Sequence, residues 1–413
     1  MFVSGIVFAA LSMSAQGVEL RHPADETSTL RKPRLVRVGG DPIDVSVGHA
    51  APMMHDWNSD GISDLLVGQF GKGSLGVYRN SVKKGEPKLG ERVWAKSDKA
   101  KLKVPTGGCV GFGPQFVDLN GDGADDLISG SWPSKLYVFL SDEDGWRLPL
   151  ELLDPLGDPI EYGQATNVAP IDWDGDGDMD LLGGEFWGGL YVLENRGGEG
   201  VARFVQLHEK SVKVDGFDLS GLGSHTGVST GDWDGDGRTD VFLGTGEGAI
   251  YWLRDEATEG PVRLGFPRTL FEPRSKVNKD DRSYTHRVGG RLKLAMADWD
   301  GDGLQDLLIG DSQNQRGYNP KSSLDRKEQA RFEELNEAYL ELSDTFDEAC
   351  EERTFWGRGW RDKARAEEAQ ARVSACFDEM EPLIDELEEL SSKGEPKDKP
   401  EGVVWVMLRK EQK

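Results

Sequence analysis

Five times along this chain the same nine-residue pattern recurs, an acidic or amide side chain at every second place, then a glycine, then a closing aspartate. The copies run Asp56, Asn58, Asp60, Asp64; Asp118, Asn120, Asp122, Asp126; Asp172, Asp174, Asp176, Asp180; Asp232, Asp234, Asp236, Asp240; and Asp298, Asp300, Asp302, Asp306. Side-chain oxygens at places 1, 3, 5 and 9 converge on one centre. Place 7 (Ile62, Ala124, Asp178, Arg238, Leu304) adds a backbone carbonyl, and the glycine at place 6 permits the sharp turn. Hard oxygen donors in that number suit calcium rather than zinc or copper, so about five calcium ions are expected.

An EF-hand needs a bidentate glutamate at place 12 and a helix leaving the loop. Here place 12 reads Val67, Ser129, Gly183, Leu243 and Ile309, which excludes that motif. What leaves each loop is apolar and β-like: Asp64-Leu-Leu-Val-Gly68, Asp126-Leu-Ile-Ser-Gly130, Asp180-Leu-Leu-Gly-Gly184, Asp240-Val-Phe-Leu-Gly244 and Asp306-Leu-Leu-Ile-Gly310. The ion is therefore expected in a turn between two strands.

The first aspartates lie 62, 54, 60 and 66 residues apart, room for one four-stranded propeller blade per copy. The Asp-x-Asp-x-Asp-Gly-x-x-Asp loop followed by Leu-Leu-x-Gly, with Ala51-Pro52 and Ala169-Pro170 shortly before two copies, resembles the FG-GAP/VCBS calcium repeats of integrin α-subunit propellers and bacterial secreted proteins. The resemblance covers most of residues 34–320 and the last strand. It implies a fold and a metal, and it names no activity.

A third strand follows four of the copies (Leu75–Arg79, Leu136–Leu140, Leu190–Leu193, Ile250–Leu253), and the fifth finds its counterpart only at Val403–Leu408. Arg34–Ile43 matches Glu151–Ile160, where an outer strand ends in Gly-Asp-Pro-Ile, so the N-terminal segment reads as a fourth strand without a blade of its own. The expectation is an all-β propeller of five four-stranded blades, closed by N- and C-terminal strands that remove open edges; a degenerate sixth blade is the alternative, although the only unassigned stretch long enough for one reads as helical. The tryptophan at place 2 of four loops (Trp57, Trp173, Trp233, Trp299; Leu119 in the second) is expected to pack between blades.

Between the fifth copy and the last strand the composition turns to Glu, Ala, Arg and Lys. Apolar residues there are spaced by three and four: Phe332, Leu335, Tyr339, Leu342, Phe346, then Ala369, Val373, Cys376, Met380, Leu383, Leu387 and Leu390. That reads as an inserted α-helical hairpin with coiled-coil character, broken near Trp356–Trp360 and kinked near Pro382. The domain reading is 1–17 signal peptide, 30–320 propeller, 321–396 helical insertion, and 397–413 last propeller strand. The apolar run Phe2–Leu11 followed by Ala15-Gln16-Gly17 suits signal peptidase, although no positive residue precedes it. Export to a secreted, periplasmic or cell-surface place also fits low-affinity calcium sites.

The net charge of −25 would fall to about −15 with five calcium ions bound, and no basic stripe remains for nucleic acid or anionic lipid. No stretch reaches the length of a membrane span. Three cysteines, Cys109, Cys350 and Cys376, do not make a disulfide framework. Either a Cys350–Cys376 bridge or plain packing on helix seams accounts for two of them.

No Ser/His/Asp, Cys/His or phosphate-cradling arrangement stands out, and the aspartates are too many for any carboxylate pair to be singled out as catalytic. If each inner strand runs into its calcium loop, the opposite face gathers two further sets of loops. They carry His49, Phe70, Trp132, Gln164, Thr166, Phe186, Trp187, His225, Thr226 and Arg291; of these His49, Phe70, Trp132, Trp187, His225 and Arg291 form the candidate ligand face. His49 and His225 both stand seven residues before a loop. The readings that follow are a calcium-stabilised binding or adhesion module for a protein or glycan, a carbohydrate-active enzyme of the polysaccharide-lyase kind acting through His225 or Arg291, and a structural component paired through its hairpin to a coiled-coil partner.

Overall fold

The computed structural model describes residues 24–410 apart from 46–47, 70–72, 98–100, 105–110, 132–134, 143–144, 148, 159, 161–166, 198–201, 208–210, 273–287, 313–323, 358–364, 391–401 and scattered positions between 366 and 389. The expected leader at 1–17, Phe70, Cys109, Trp132, Gln164, Thr166 and the start of the 397–413 segment lie outside these residues.

Each repeat is an antiparallel sheet whose first two strands are joined by the aspartate loop. Blade one runs Ala51–His55, Asp64–Gly68, Leu75–Asn80, Leu89–Trp94, and blade two Gln115–Val117, Asp126–Gly130, Leu136–Phe139, Leu150–Glu151. Blade three runs Asn167–Ile171, Asp180–Gly184, Leu190–Asn195, Phe204–Gln206, and blade four Gly227–Gly231, Asp240–Gly244, Ile250–Leu253, Arg268–Phe271. The fifth sheet is ordered Arg34–Leu35, Val404–Met407, Asp306–Ser312, Gly290–Ala297. Its inner pair is contiguous in sequence, whereas the other two strands come from opposite ends of the described chain, with Leu35 beside Trp405 and Trp405 beside Ile309.

Five apolar cores separate the five blades, one at each interface. Leu181 and Phe204 sit in the core between blades two and three, Val228 and Leu190 in the next, then Leu292 with Phe242, Leu65 with Leu308, and Leu66 with Phe112. Blades five and one share a core like the rest. The place-2 side chains fill these cores as expected: Trp233 and Trp299 are buried, Leu119 and Trp173 pack in, and Trp57 stacks on Trp146 at 5.0 Å.

A second device repeats around the ring. The backbone carbonyl five residues after four of the five closing aspartates accepts from the amide six residues before the next loop: Gln69 from Phe112, Glu185 from Thr226, Thr245 from Leu292 and Asp311 from Ala50. The glycine of Leu-Leu-x-Gly stands one residue earlier, against that neighbouring backbone. A Cβ at Gly68 would lie 1.9 Å from the Phe112 carbonyl oxygen, and one at Gly184 or Gly310 would meet those of Thr226 (2.3 Å) and Ala50 (1.9 Å). The motif glycine therefore serves blade-to-blade approach.

Residues 24–45 strap the outside. Ala24–Asp25 adds a parallel fifth strand to blade four, which the sequence pattern did not foretell; Leu30 then enters the core between blades four and five, and Val36 and Ile43 enter the core between five and one. The matched segments behave alike: Ile43 donates its amide to Val36 as Ile160 does to Leu152.

The helical element described throughout is Arg326–Gly357. Asp325 caps it by accepting from the amides of Lys327 and Glu328, and Glu328 returns a carboxylate to the Asp325 amide. Described residues between 365 and 390 are helical as well; Leu387 and Leu390 pack on Leu335, and Glu386 accepts both arms of the Arg331 guanidinium at 2.8 and 2.7 Å. Cys376 is a free, buried thiol, and the side chain of Cys350 lies outside the described set. Among the described residues no helix is long and apolar enough to cross a membrane.

Candidate metal loops and the axial cluster

The five loops share one backbone conformation. Their place-6 glycines, Gly61, Gly123, Gly177, Gly237 and Gly303, all lie in the left-handed region at φ between +79° and +95°. Place 4 is left-handed too, with glycine in four loops and Ser59, at φ +58°, in the first. Side chains pin this shape from within. The first aspartate accepts from the place-6 amide in four copies (Asp56, Asp118, Asp232, Asp298), and in the third Asp172 accepts from Gly175. The place-5 aspartate accepts from the place-7 amide in all five: Ile62, Ala124, Asp178, Arg238 and Leu304.

The closing aspartates do a different task. Asp64, Asp126, Asp180, Asp240 and Asp306 are almost fully buried, and one carboxylate oxygen of each accepts an amide from the third strand or its end: Asn80, Ser141, Asn195, Asp255 and Arg409. In the last four the other oxygen accepts the amide of place 2, and in the first it meets the Arg79 guanidinium at 3.0 Å. Place 9 thus ties loop, second strand and third strand together, a role that the ligand pattern alone did not reveal.

Carboxylate oxygens of three loops come within 4.8 Å of one another: Asp172, Asp174 and Asp180; Asp232, Asp234 and Asp236; Asp298, Asp300 and Asp302. The two loops with asparagine at place 3 have fewer carboxylates to bring together. Burial, reinforced by neighbouring carboxylates, pushes Asp126, Asp178, Asp240 and Asp306 up to about 6, and Asp64 and Asp180 also rise. Asp178 Oδ1 and Asp300 Oδ1 are buried with no hydrogen-bond partner, a costly state that a cation would relieve. All the donors are hard oxygens, so the residues present fit calcium. In the fourth loop Arg254 bridges Asp234 at 2.5 Å and Asp236 at 2.8 Å, an internal cation standing against two of the candidate ligands.

At the other end of the inner strands a basic cluster gathers in this acidic chain. His49, His225 and Arg291 each stand seven residues before a loop, and all three are non-glycine residues held left-handed, at φ +54°, +51° and +54°. Counting back from Asp298 was the missed signal that groups Arg291 with the two histidines. The next residue in each case makes the blade-to-blade amide bond, so the turn is imposed by ring packing. Arg291 Nη1 donates to His49 Nε2 at 2.9 Å, which fixes His49 as a neutral acceptor. Burial, with the charges of Arg291, Lys293 and His225, drives His49 down to about 3. Lys293, which sequence reading passed over, is lowered to about 8 by burial and by Arg291.

Around His225 the groups form a chain. Ser224 Oγ donates to Glu247 Oε1 at 2.9 Å and lies 3.0 Å from His225 Nδ1, so Nδ1 carries the proton; Nε2 is buried without a partner. Phe186 lies 4.1 Å from the imidazole, and Trp187, 69% exposed, meets Phe186 edge-on at 4.8 Å. Of the expected ligand face, the structure brings His49, His225 and Arg291 together and sets Trp187 against Phe186, which packs on His225, while Phe70 and Trp132 lie outside the described residues.

Residues 118–183 and 172–243 match the FG-GAP-like repeat family. Those two overlapping matches span the second to fourth loops, and the same loop, strand and glycine arrangement extends to the first and fifth copies. No curated protein matches the chain.

Proposed function

For this five-bladed propeller of FG-GAP-like repeats, we propose a binding module, secreted or at the cell surface, that holds calcium in its loops and offers the opposite face to a protein or glycan. The observation that carries the reading is the division of labour between the two ends of the inner strands. One end is spent on aspartate turns; the other sets His49, His225, Arg291 and Lys293 close together, with the exposed Trp187 set against Phe186, which packs on His225.

In this reading Asp172, Asp174, Asp176 and Asp180, with the carbonyl of Asp178 and their equivalents in the other loops, would hold calcium, whose part is to neutralise clustered carboxylates and lock the turns. It is structural, since protein oxygens fill most of the coordination positions. The strand Val404–Met407, lying between Asp306–Ser312 and Arg34–Leu35, closes the ring. The helix Arg326–Gly357 and the helical residues that pack on it form a projecting hairpin, a candidate docking arm or coiled-coil partner. The leader-like N-terminus and the calcium requirement support export.

The test is retention of the calcium-loaded protein on immobilised neutral and acidic polysaccharides, with assay for shortened or unsaturated products. Retention without products is expected. Products would move the reading to an enzyme, and absence of retention would leave the helical arm and a protein partner as the binding route.

A further inference from the structure

The axial cluster combines three kinds of recognition chemistry that seldom coincide. The first is cationic. Arg291 spends one arm on the neutral His49, and neither Arg291 nor Lys293 has a carboxylate in ion-pair contact among the described residues. Both belong to one inner strand, Gly290–Ala297, on either side of the fully buried Leu292. The nearest acidic group that bears on His225, Glu247, is taken up by the amide and hydroxyl of Ser224. The second is a hydrogen-bond acceptor. His225 Nε2 is a buried lone pair without a donor, and only an O–H or N–H from elsewhere satisfies it. The third is the Trp187 ring, exposed and braced by Phe186 against His225.

A plain anion uses the first of these alone, and a neutral sugar uses the second and third. A sugar acid uses all of them: its carboxylate meets Arg291 and Lys293, a ring hydroxyl donates to His225, and its C–H face lies on Trp187. We propose that this end of the propeller axis is a subsite for a uronate residue of an acidic polysaccharide. The proposal rests on the binding-module reading and narrows its ligand to one class. The net charge of −25 does not oppose it, because screening confines distant repulsion to about 8–10 Å while the basic groups act at contact.

The experiment measures affinity of the full, calcium-loaded chain for oligogalacturonate too short to gel with calcium, and for the same oligomer with its carboxylates reduced to alcohols. Arg291→Gln, Lys293→Gln and Trp187→Ala are compared with the native chain, and oligoglutamate serves as competitor. Expected are binding of the acid form, at least about tenfold weaker binding of the reduced form, and losses of about tenfold to a hundredfold in Arg291→Gln and Lys293→Gln, the range for charged hydrogen bonds. Trp187→Ala, an exposed position that leaves the cores untouched, should also weaken binding; native-like melting of each variant shows that the loss is local. Equal binding of both forms, acid binding indifferent to the three substitutions, or competition by oligoglutamate as strong as by the uronate itself would each overturn the uronate subsite and leave the module reading standing. If neither oligomer binds the native chain while other polysaccharides do, the subsite alone falls; if no saccharide binds at all, the glycan reading falls with it.

Discussion

Asp240 is fully buried and accepts two backbone amides, from Asp255 at 2.8 Å and Trp233 at 3.2 Å, whereas Asp234 in the same loop is a partly exposed candidate ligand paired with Arg254. The two aspartates should therefore fail in different ways. Asp240→Asn turns an NH2 group toward an amide that needs an acceptor, and is expected to destabilise the chain by about 1–3 kcal/mol with or without calcium. Asp234→Asn should leave the calcium-free melting temperature near native and lower only the increment that calcium adds; denaturant melts of both variants in both states check this. Gly310 offers a purely steric case. Its Cβ would fall on the Ala50 carbonyl oxygen, so Gly310→Ala should cost about 3 kcal/mol or more, read as a lowered denaturant midpoint. Ser59 offers the opposite: it holds φ +58° where four other loops have glycine, and Ser59→Gly is expected to add about 0.5–1 kcal/mol through relief of left-handed strain, less what the freer unfolded chain takes back. An unchanged or lowered midpoint for Ser59→Gly would sink that argument.

At the scale of the loop, titration gives a signature of the metal. In the calcium-free protein Asp126, Asp178, Asp240 and Asp306 sit at about 6 in the fold against about 3.8 in the unfolded chain. Their folded pKa is raised, so the stability linked to them is full below about pH 3.8 and is lost as pH climbs through 6. Buried His49 works the other way: lowered to about 3 from 6.5, it gives stability above pH 6.5 that is lost as pH falls. Because His49 is common to both forms, subtracting the calcium-free melting curve from the calcium-loaded one removes it. The difference should grow steadily from pH 4 to pH 6.5, and a difference flat with pH would mean that calcium in the loops does not act on these carboxylates, whether as ligands or as neighbours. Much of this element was legible beforehand. The spacing of Asp172, Asp174 and Asp176 and the apolar run after Asp180 reveal loop and strand, since both follow from local chemistry. The bridging of Gln69, Glu185, Thr245 and Asp311 to the next blade was not legible, because a backbone carbonyl leaves no mark in sequence; only the glycine beside it does. Lys293 was missed for a related reason. Its nearness to Arg291 is the local i,i+2 spacing of one strand, but its nearness to His49 depends on the ring geometry that brings blades five and one together, which no local pattern encodes.

A ring differs from a row of blades in that its last interface must be made by residues distant in sequence. Here Val404–Met407 forms the third strand of blade five while Arg34–Leu35 forms the fourth, so the closing sheet draws on both ends of the described chain. Trp405 is its anchor: the ring is buried, and its Nε1 donates at 2.8 Å to Asp311 Oδ2 while Val403 donates to the other oxygen of the same carboxylate. The Asp311 carbonyl in turn accepts from Ala50 of blade one. Trp405 therefore acts on two seams at once: its ring is buried in the core between blades four and five, and through Asp311 it supports the seam between blades five and one. Removing residues 402–413 would strip these contacts, bare the edge of Asp306–Ser312 and leave the buried Asp311 carboxylate without two of its donors. An unpaired edge of that apolar character, Leu307, Leu308 and Ile309 in succession, templates association between chains. The truncated chain is expected to elute above monomer mass in size exclusion, and to lose the calcium-dependent rise in melting temperature at every loop rather than at the fifth alone, because opening one seam frees the neighbours on both sides. Trp405→Ala should show the milder form, about 3–5 kcal/mol lost with the monomer retained. A truncated chain that stays monomeric and keeps the native calcium response would show that the first four blades hold their shape without the seam.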